Sequence, residues 1–404
     1  MSAARLHPRH RIDVEPAALA RALARCARPP RGALERLEAL ACPRGEALAA
    51  LSVRSGFDAL LTALALPPGS EVVLSGWTIP DMARVVRAHG LVPVPVDCGE
   101  ATLAPAPEDF AASLTPATRV AVVAQLFGGA VDLAPYARAC RARGVLLVDD
   151  DAQGFTGPAR LAGSPDADVV FHSFGSIKTA TALGGALVRV RDGALRERMR
   201  ATMAAWPAQP DGRYARKVAT YLGLAALRDP TRYARFARAI ESAGRPLDAA
   251  IMGATRGFPA DDVGALLRAI RWRPCAALCA TLAENLAGFD AARVAARAAA
   301  GERLIARLGG AVPVLGRAMA ARTHWLFAVL SARPDALVAA LRGAGFDGAR
   351  GTSSIAAVPE APERPGARAA ACEAWGGRAV FLPAYPEVPE AERDRMADVV
   401  RAHA

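Results

Sequence analysis

Short apolar runs alternate with amphipathic stretches along the first half of the chain. The runs are "EVVLSGW", "LVPVPVD", "RVAVVAQLF", "VLLVDDD", "ADVVFHSF" and "GGALVRV". Between the first four lie "DMARVVRAHG", "PEDFAASL" and "DLAPYARACRARG", whose apolar residues recur at helical spacing. Short runs rich in valine and leucine, bounded by glycine or polar turns, read as buried strands. Their alternation with helices predicts a mostly parallel sheet covered on both faces. In such sheets ligands collect at the carboxyl ends of the strands. Trp77, Gln125, Asp149 to Gln153 and Ser173 to Lys178 fall at those ends.

The pattern shifts between about residues 205 and 262, where "WPAQPDGRYARK" and "AGRPLDAAIMGATRGFPADD" frame arginine-rich helices in what reads as a helical insertion. Beyond it, "THWLFAVL", "PDALVAALRGAGF", "GRAVFLPAYPEV" and "PEAERDRMADVVRAHA" predict a smaller α+β unit. The expected organisation is an N-terminal arm and helix over 1–45, a large domain over 46–250 bearing the insertion, and a small C-terminal domain over 251–404.

Composition narrows the function. With 404 residues, 52% of them hydrophobic, the chain can bury cores for two domains. No stretch approaches the ~20 apolar residues of a membrane helix, and residues 1–30 lack the apolar run of a secretion signal, so a cytoplasmic protein is expected. Seven scattered cysteines point to reduced thiols. Cys275 and Cys279 lie on one helical face without a second nearby pair, so no metal site is expected. The net charge of +11 comes from arginines spread at helical spacing among alanines, with no nucleic-acid-binding motif. Such a surface excludes nothing smaller: it can steer an anionic metabolite toward a cleft.

Against this arginine background only two lysines stand, Lys178 and Lys217. A guanidinium stays protonated, whereas an amine in a desolvated site can lose its proton and attack a carbonyl to form a Schiff base. Lys178, among the small and hydroxyl residues of "SFGSIKTATALGG", suits that chemistry; Lys217, in "GRYARKVATYLG", reads as a solvated helix position. A lysine serving pyridoxal phosphate also needs a carboxylate against the pyridine nitrogen, an anion cup and a flat partner for the ring. "VDDDAQG" offers the carboxylate, Ser55 and Gly56 of "RSGFDALLTAL" a helix start, and Trp77 of "SGWTIP" the ring. Taken singly, the Ser-Gly pair also reads as an ordinary helix cap and the tryptophan as core.

In order, "SGFDAL", "GSEVVLSGWT", "VPVPVD", "RVAVVAQLFGGAVDL", "VLLVDDDAQGF" and "SFGSIKTATALGGALV" resemble the DegT/DnrJ/EryC1/StrS family of pyridoxal-phosphate enzymes, chiefly sugar aminotransferases. The resemblance runs over roughly residues 45–401 through "RWRPCAALCATLAENLAGFDAARVAARAAAGERLIARL" and "AVFLPAYPEVPEAERDRMADVV". It implies an α/β, aspartate-aminotransferase-like fold (fold type I), a homodimer and a catalytic Lys178 that holds the cofactor and shuttles a proton. It further implies Asp150 at the pyridine nitrogen, Gln153 by the phenolic oxygen, Trp77 on the ring face, and Ser173, Ser55 and the backbone at Gly56 and Phe57 around the phosphate. Arg271 would reach the phosphate from the partner subunit, and Gln125 would touch substrate.

Some positions depart from the family pattern. Phe57 replaces threonine, Arg271 asparagine, Thr179 asparagine and Asp151 alanine, and the acidic residue before Gly184 and Gly185 is absent. These leave the lysine and the acid in place. The expected function is an aminotransferase moving an amino group from an amino-acid donor to a keto-sugar, nucleotide-linked or not, or to a related keto compound. Two alternatives accompany it: a same-fold enzyme of decarboxylation, elimination or carbon–carbon bond formation, and a non-catalytic regulatory protein.

Overall fold

The computed structural model describes residues 4–255, 258, 262–351 and 355–404. In chain order its strands are β1 (Ala47–Ala50), β2 (Glu71–Ser75), β3 (Trp77–Thr78), β4 (Val92–Val96), β5 (Thr118–Ala124), β6 (Leu146–Asp150), β7 (Val169–Ser173), β8 (Ala186–Val190), β9 (Ala328–Leu330), β10 (Ala356–Ala357) and β11 (Ala379–Phe381). Seven form one sheet in the order β1-β8-β7-β6-β5-β2-β4. Neighbours from β4 to β7 run parallel, and β8 is antiparallel to both β7 and β1. Every apolar run singled out in the sequence is a strand of this sheet. β1 carries no such signal, because alanine and leucine favour helix. It is held extended by pairing along β8, from Ala47 opposite Arg189 to Ala50 opposite Ala186, with all four residues buried.

The helix Val53–Leu64 lies on one sheet face and buries Phe57, Leu60 and Leu61 against Val148, Phe171 and Val188. Each such side chain contributes roughly 1.5–3 kcal/mol relative to exposure. The other face buries Val123, Leu147 and Val170 with Phe110 and Tyr136. Side chains alternate along a strand, so Leu147 and Asp149 face one layer while Val148 and Asp150 face the helix Val53–Leu64. The chain passes from β2 to β4 on one side, then returns across β2 to β5. This change of direction opens a crevice at the carboxyl ends of β2 and β5.

The insertion is helical: Asp211–Leu224, Pro230–Ser242 and Leu247–Thr255. Residues 256–257 and 259–261 of it lie outside the described residues. β9 and β11 pair antiparallel and pack with the helices Ala291–Leu308, Pro334–Gly343 and Glu390–His403 around Phe327, Val329 and Val380. The helices Val263–Ile270 and Ala276–Ala287, within the stretch assigned to the small domain, bury their apolar faces on the large sheet and its lysine loop. No helix among the described residues is long and apolar enough to cross a membrane.

Candidate active site

Lys178 sits on the loop between β7 and β8. A turn closed by Lys178 N to Gly175 O (2.9 Å) starts this loop. Thr181 Oγ1 fastens it by donating to Gly175 O (2.7 Å), and Leu183 N donates to Thr181 Oγ1 (2.8 Å). Ala180 (φ 54°) and Leu183 (φ 61°) take left-handed backbone conformations, which cost about 1–3 kcal/mol each and persist only where surroundings over-determine them. Nζ of Lys178 has no hydrogen-bond acceptor among the described residues. It lies over the Trp325 ring, 4.0 Å from its centre. Burial pushes the amine down to about 7, against the pull of Asp150 and helped by the charge of Arg54.

Asp150 ends β6 and is buried. The one hydrogen bond to its carboxylate among the described residues is a long one, from Ala152 N to Oδ1 (3.3 Å). Burial raises its carboxyl to about 6, with Lys178, the Ala152 amide and Arg54 holding it down and Asp151 pushing it up. The lysine and this acid therefore act on each other electrostatically at the strand ends, with proton affinities near 7 and 6. Perturbed groups gathered in a crevice are the mark of a reactive site.

Gln153 accepts from Phe127 N through Oε1 (2.9 Å), and its Nε2 has no partner among the described residues. Ser173, half-buried at the end of β7, accepts a long bond from Gly175 N (3.5 Å), leaving its hydroxyl proton available. Trp77 is buried with its ring against Trp375 (4.4 Å between centres) and over Gly376, where an added Cβ would meet it at 2.1 Å. Nε1 of Trp77 is buried without a partner among the described residues.

Three expectations are corrected. Ser55, Gly56 and Phe57 do not form the anion cup. Ser52 caps the helix Val53–Leu64, taking Ser55 N on its Oγ (3.1 Å) and Gly56 N on its carbonyl (3.0 Å), so the helix begins before these residues. The Ser55 hydroxyl donates to Ile270 O (2.7 Å), and Phe57 is core. Gln125 has no free end for a substrate: Nε2 donates to Asp149 (2.9 Å) and Oε1 accepts from Val131 N (2.7 Å). Arg271 serves its own chain. It bridges both oxygens of Asp58 (2.8 and 3.0 Å), a fully buried carboxylate that also takes His89 Nε2 (2.9 Å). Such a buried charge requires its counter-ion close by. Lys217 also differs from expectation: it is half-buried, and burial with the nearby Arg213 lowers it to about 8.

The extra carboxylate at 151 has its own partners. Arg160 Nε donates to Asp151 Oδ2 (2.7 Å) and His172 Nδ1 stands 3.3 Å away. Burial pushes Asp151 up, but His172 and Arg160 outweigh it and hold the group below the usual carboxylate range. Asp149 beside it is raised to about 7 by burial and by the Asp151 charge. Cys275 and Cys279 are buried, and burial lifts both thiols to about 12, so they stay protonated.

Two residues of the site escaped the sequence reading. Arg54, in the first turn of the helix Val53–Leu64, is oriented by Asp81 (Nε to Oδ2, 2.5 Å) and acts electrostatically on both Lys178 and Asp150. Its guanidinium carries no other hydrogen bond among the described residues, which leaves the two terminal nitrogens free for an anion. Trp325 covers Lys178 from the far side of the chain and fixes the loop by donating from Nε1 to Ile177 O (3.0 Å).

Comparison with known proteins agrees with this architecture. A model of the DegT/DnrJ/EryC1/StrS aminotransferase family matches residues 33–224. The 3-amino-5-hydroxybenzoate synthase of Amycolatopsis mediterranei (strain S699) is 33% identical over 149 residues, 36% of this chain and 38% of that protein. The chain thus matches little more than a third of that relative's length. Solved structures with the same fold include the aminotransferase TlmJ from Streptoalloteichus hindustanus (TM-score 0.68, 19% identity, covering 100% of this chain and 98% of the other). The sugar aminotransferase CalS13 from Micromonospora echinospora is equally similar (TM-score 0.68, 20% identity, 98% and 100% coverage). The segment 33–224, which contains Lys178, Asp150, Gln153 and Ser173, is thus similar to the DegT/DnrJ/EryC1/StrS aminotransferase family.

Proposed function

We propose that this protein is a pyridoxal-phosphate-dependent aminotransferase that moves an amino group from an amino-acid donor to a keto-sugar or related keto acceptor. One observation carries the reading. Lys178 presents an amine without an acceptor among the described residues, within the electrostatic reach of a buried carboxylate, Asp150, that has a single weak donor. Such a pair is unfinished as a structural ion pair and complete as the two poles of a cofactor site.

The residues present suit the group along its length. Lys178 would hold its aldehyde carbon, Asp150 its ring nitrogen and the free Nε2 of Gln153 its phenolic oxygen. Arg54 and the Ser173 hydroxyl would hold its phosphate, in place of the hydroxyl and amide groups that Ser55, Gly56 and Phe57 do not supply. When bound, pyridoxal phosphate supplies an electron sink for the pair left when a proton departs the substrate carbon.

Lys178 handles that proton at Nζ. With its affinity near neutrality, the amine accepts a proton and returns it at comparable cost, the condition for efficient general acid–base work. Trp325 over Nζ excludes water and stabilises the ammonium form transiently present. Asp150, an acid lifted by burial, would be held ionised by a cationic ring nitrogen against it. The Gln125–Asp149 bond and the Arg160–Asp151 pair stiffen the strand end from the other face.

The test is spectroscopic. Purified protein carrying the cofactor is yellow, an amino donor bleaches it, and a keto acceptor restores the colour. Colour unaffected by every amino donor tried contradicts transamination, and failure to bind the cofactor contradicts the whole reading.

A further inference from the structure

The loop leaving β6 carries Asp150, the donor to Asp150 and Gln153 on neighbouring residues. Ala152 N gives Oδ1 of Asp150 its hydrogen bond (3.3 Å), and Oε1 of Gln153 takes Phe127 N (2.9 Å), which orients the amide independently. Asp151 lies between these groups in sequence and has a different set of partners. It is fully buried; Oδ2 accepts from Arg160 Nε (2.7 Å), and His172 Nδ1 stands 3.3 Å away. Arg160 comes from the short helix Pro158–Ala162, and His172 from β7, one residue before Ser173.

The other oxygen of Asp151 meets the loop itself. A Cβ built on Gly154 would overlap Oδ1, so the backbone comes down on the carboxylate as only glycine permits. One side chain thus ties together the loop 151–154, the helix Pro158–Ala162 and the end of β7. His172 shares a sheet face with Val170, and Asp149 with Leu147, so these two lie in the layer opposite the helix Val53–Leu64, toward which Asp150 faces. The cluster sets two carboxylates, Asp149 and Asp151, against one guanidinium and one imidazole, and Gln125 takes up Oδ1 of Asp149 (2.9 Å). Drawing such charges out of water is a weak source of stability. What it supplies here is a fixed geometry under the loop that carries the acid of the site.

We propose that Asp151 is a positioning residue: held by Arg160 and His172 and packed under Gly154, it fixes the loop 151–154 so that Asp150 stays aligned on the ring nitrogen of the cofactor. The need for such a clamp follows from the long Ala152–Asp150 bond, which by itself holds the acid poorly. The inference rests on the pyridoxal-phosphate reading for what Asp150 meets; the clamp stands on the contacts of Asp151 alone.

Absorbance titration of the cofactor-free protein with pyridoxal phosphate and with its deaza analogue, in which carbon replaces the ring nitrogen, reads the alignment directly. The wild type prefers the natural cofactor by about 10- to 100-fold, the range of a charge-assisted hydrogen bond. Asp151→Ala lowers that preference about tenfold and leaves binding of the deaza analogue within about threefold. Asp151→Asn, which keeps an oxygen for Arg160, recovers part of the preference. An unchanged preference, or equal losses for the two compounds as a general loosening of the fold would give, overturns the positioning role while the cofactor reading stands. Should Asp151→Ala fail to fold, His172→Phe, which leaves the Arg160 pair intact, is scored by the same two criteria. Gly154→Ala adds a readout free of cofactor: it lowers the melting temperature of the wild type and costs little in Asp151→Ala, where the oxygen it meets is gone. Equal cost in both backgrounds overturns the clamp. A wild type that binds neither compound, or both equally, overturns the role of Asp150 at the ring nitrogen and the positioning role with it, and the glycine comparison then still reports the clamp.

Discussion

The amine nitrogen of Lys178 lies 4.0 Å from the centre of the Trp325 ring, a contact between residues 147 positions apart. A tryptophan face stabilises the ammonium form by about 0.5–2 kcal/mol, opposing the desolvation that drives the proton off. Replacing Trp325 with leucine keeps the site apolar and removes that support. The amine of Trp325→Leu is therefore expected to titrate lower than the wild type, by up to about 1.5 pKa units. The pH dependence of adduct formation with pyridoxal measures it; an upward shift would contradict the role given to the ring.

The pH behaviour of the cofactor-free protein follows from the two opposed groups. Lys178 titrates near 7 when folded and near 10.5 when not, so the unfolded chain holds more protons between those values and stability rises with pH across them. Asp150 titrates near 6 when folded against an ordinary 3.8, so the native state holds more protons there and stability falls as pH rises from about 4 to 6. Thermal melts across pH should show both slopes, with Lys178→Met reducing the upper, to which Lys217 also contributes, and Asp150→Asn reducing the lower, to which Asp149 also contributes. The free amine is the reactive form, so the rate of adduct formation with pyridoxal should climb through pH 7 and then level.

Arg54 is assigned to the phosphate. Arg54→Ala should weaken binding of pyridoxal phosphate by about 10- to 100-fold while leaving binding of pyridoxal, which lacks the phosphate, within about twofold. Absorbance titration with both compounds decides. Equal losses for the two would mean that Arg54 acts through the loop rather than on the anion.

Arg271 answers a buried charge in its own chain. Removing it leaves Asp58 with His89 alone, and Arg271→Ala should cost about 2 kcal/mol of stability, discounted from the usual buried-pair loss because the guanidinium is part-exposed. Asp58→Asn in the same background should recover part of that loss. Denaturant melts of the single and double variants separate this role from one at a subunit interface, which would change assembly without this coupling.

Much of this was legible in the sequence because some signals are local. Strands β2 and β4 to β8 announce themselves as valine-rich runs. Lys178 stands out because the chain otherwise uses arginine, and Asp150 because three carboxylates end a strand. Arg54 was hidden by that same arginine background, and only the fold shows that Asp81 holds it within electrostatic reach of Lys178 and Asp150. Trp325 was illegible because the contact it makes is set by how the C-terminal part of the chain folds back. Gln125 and Ser55 carried the right chemistry at the right strand and helix ends. Only the folded structure shows that Asp149, Val131 and the Ile270 carbonyl already use their hydrogen bonds. The half-burial of Lys217 is likewise a product of tertiary packing, not of its helical spacing.

The central claim is that Lys178 is the amine that holds pyridoxal phosphate. Incubation with the cofactor, reduction with borohydride and peptide mapping by mass spectrometry should place a stable pyridoxyl group on Lys178, absent from Lys178→Ala and present in Lys217→Ala. Label found on Lys217 instead, or no label on either lysine, would contradict it.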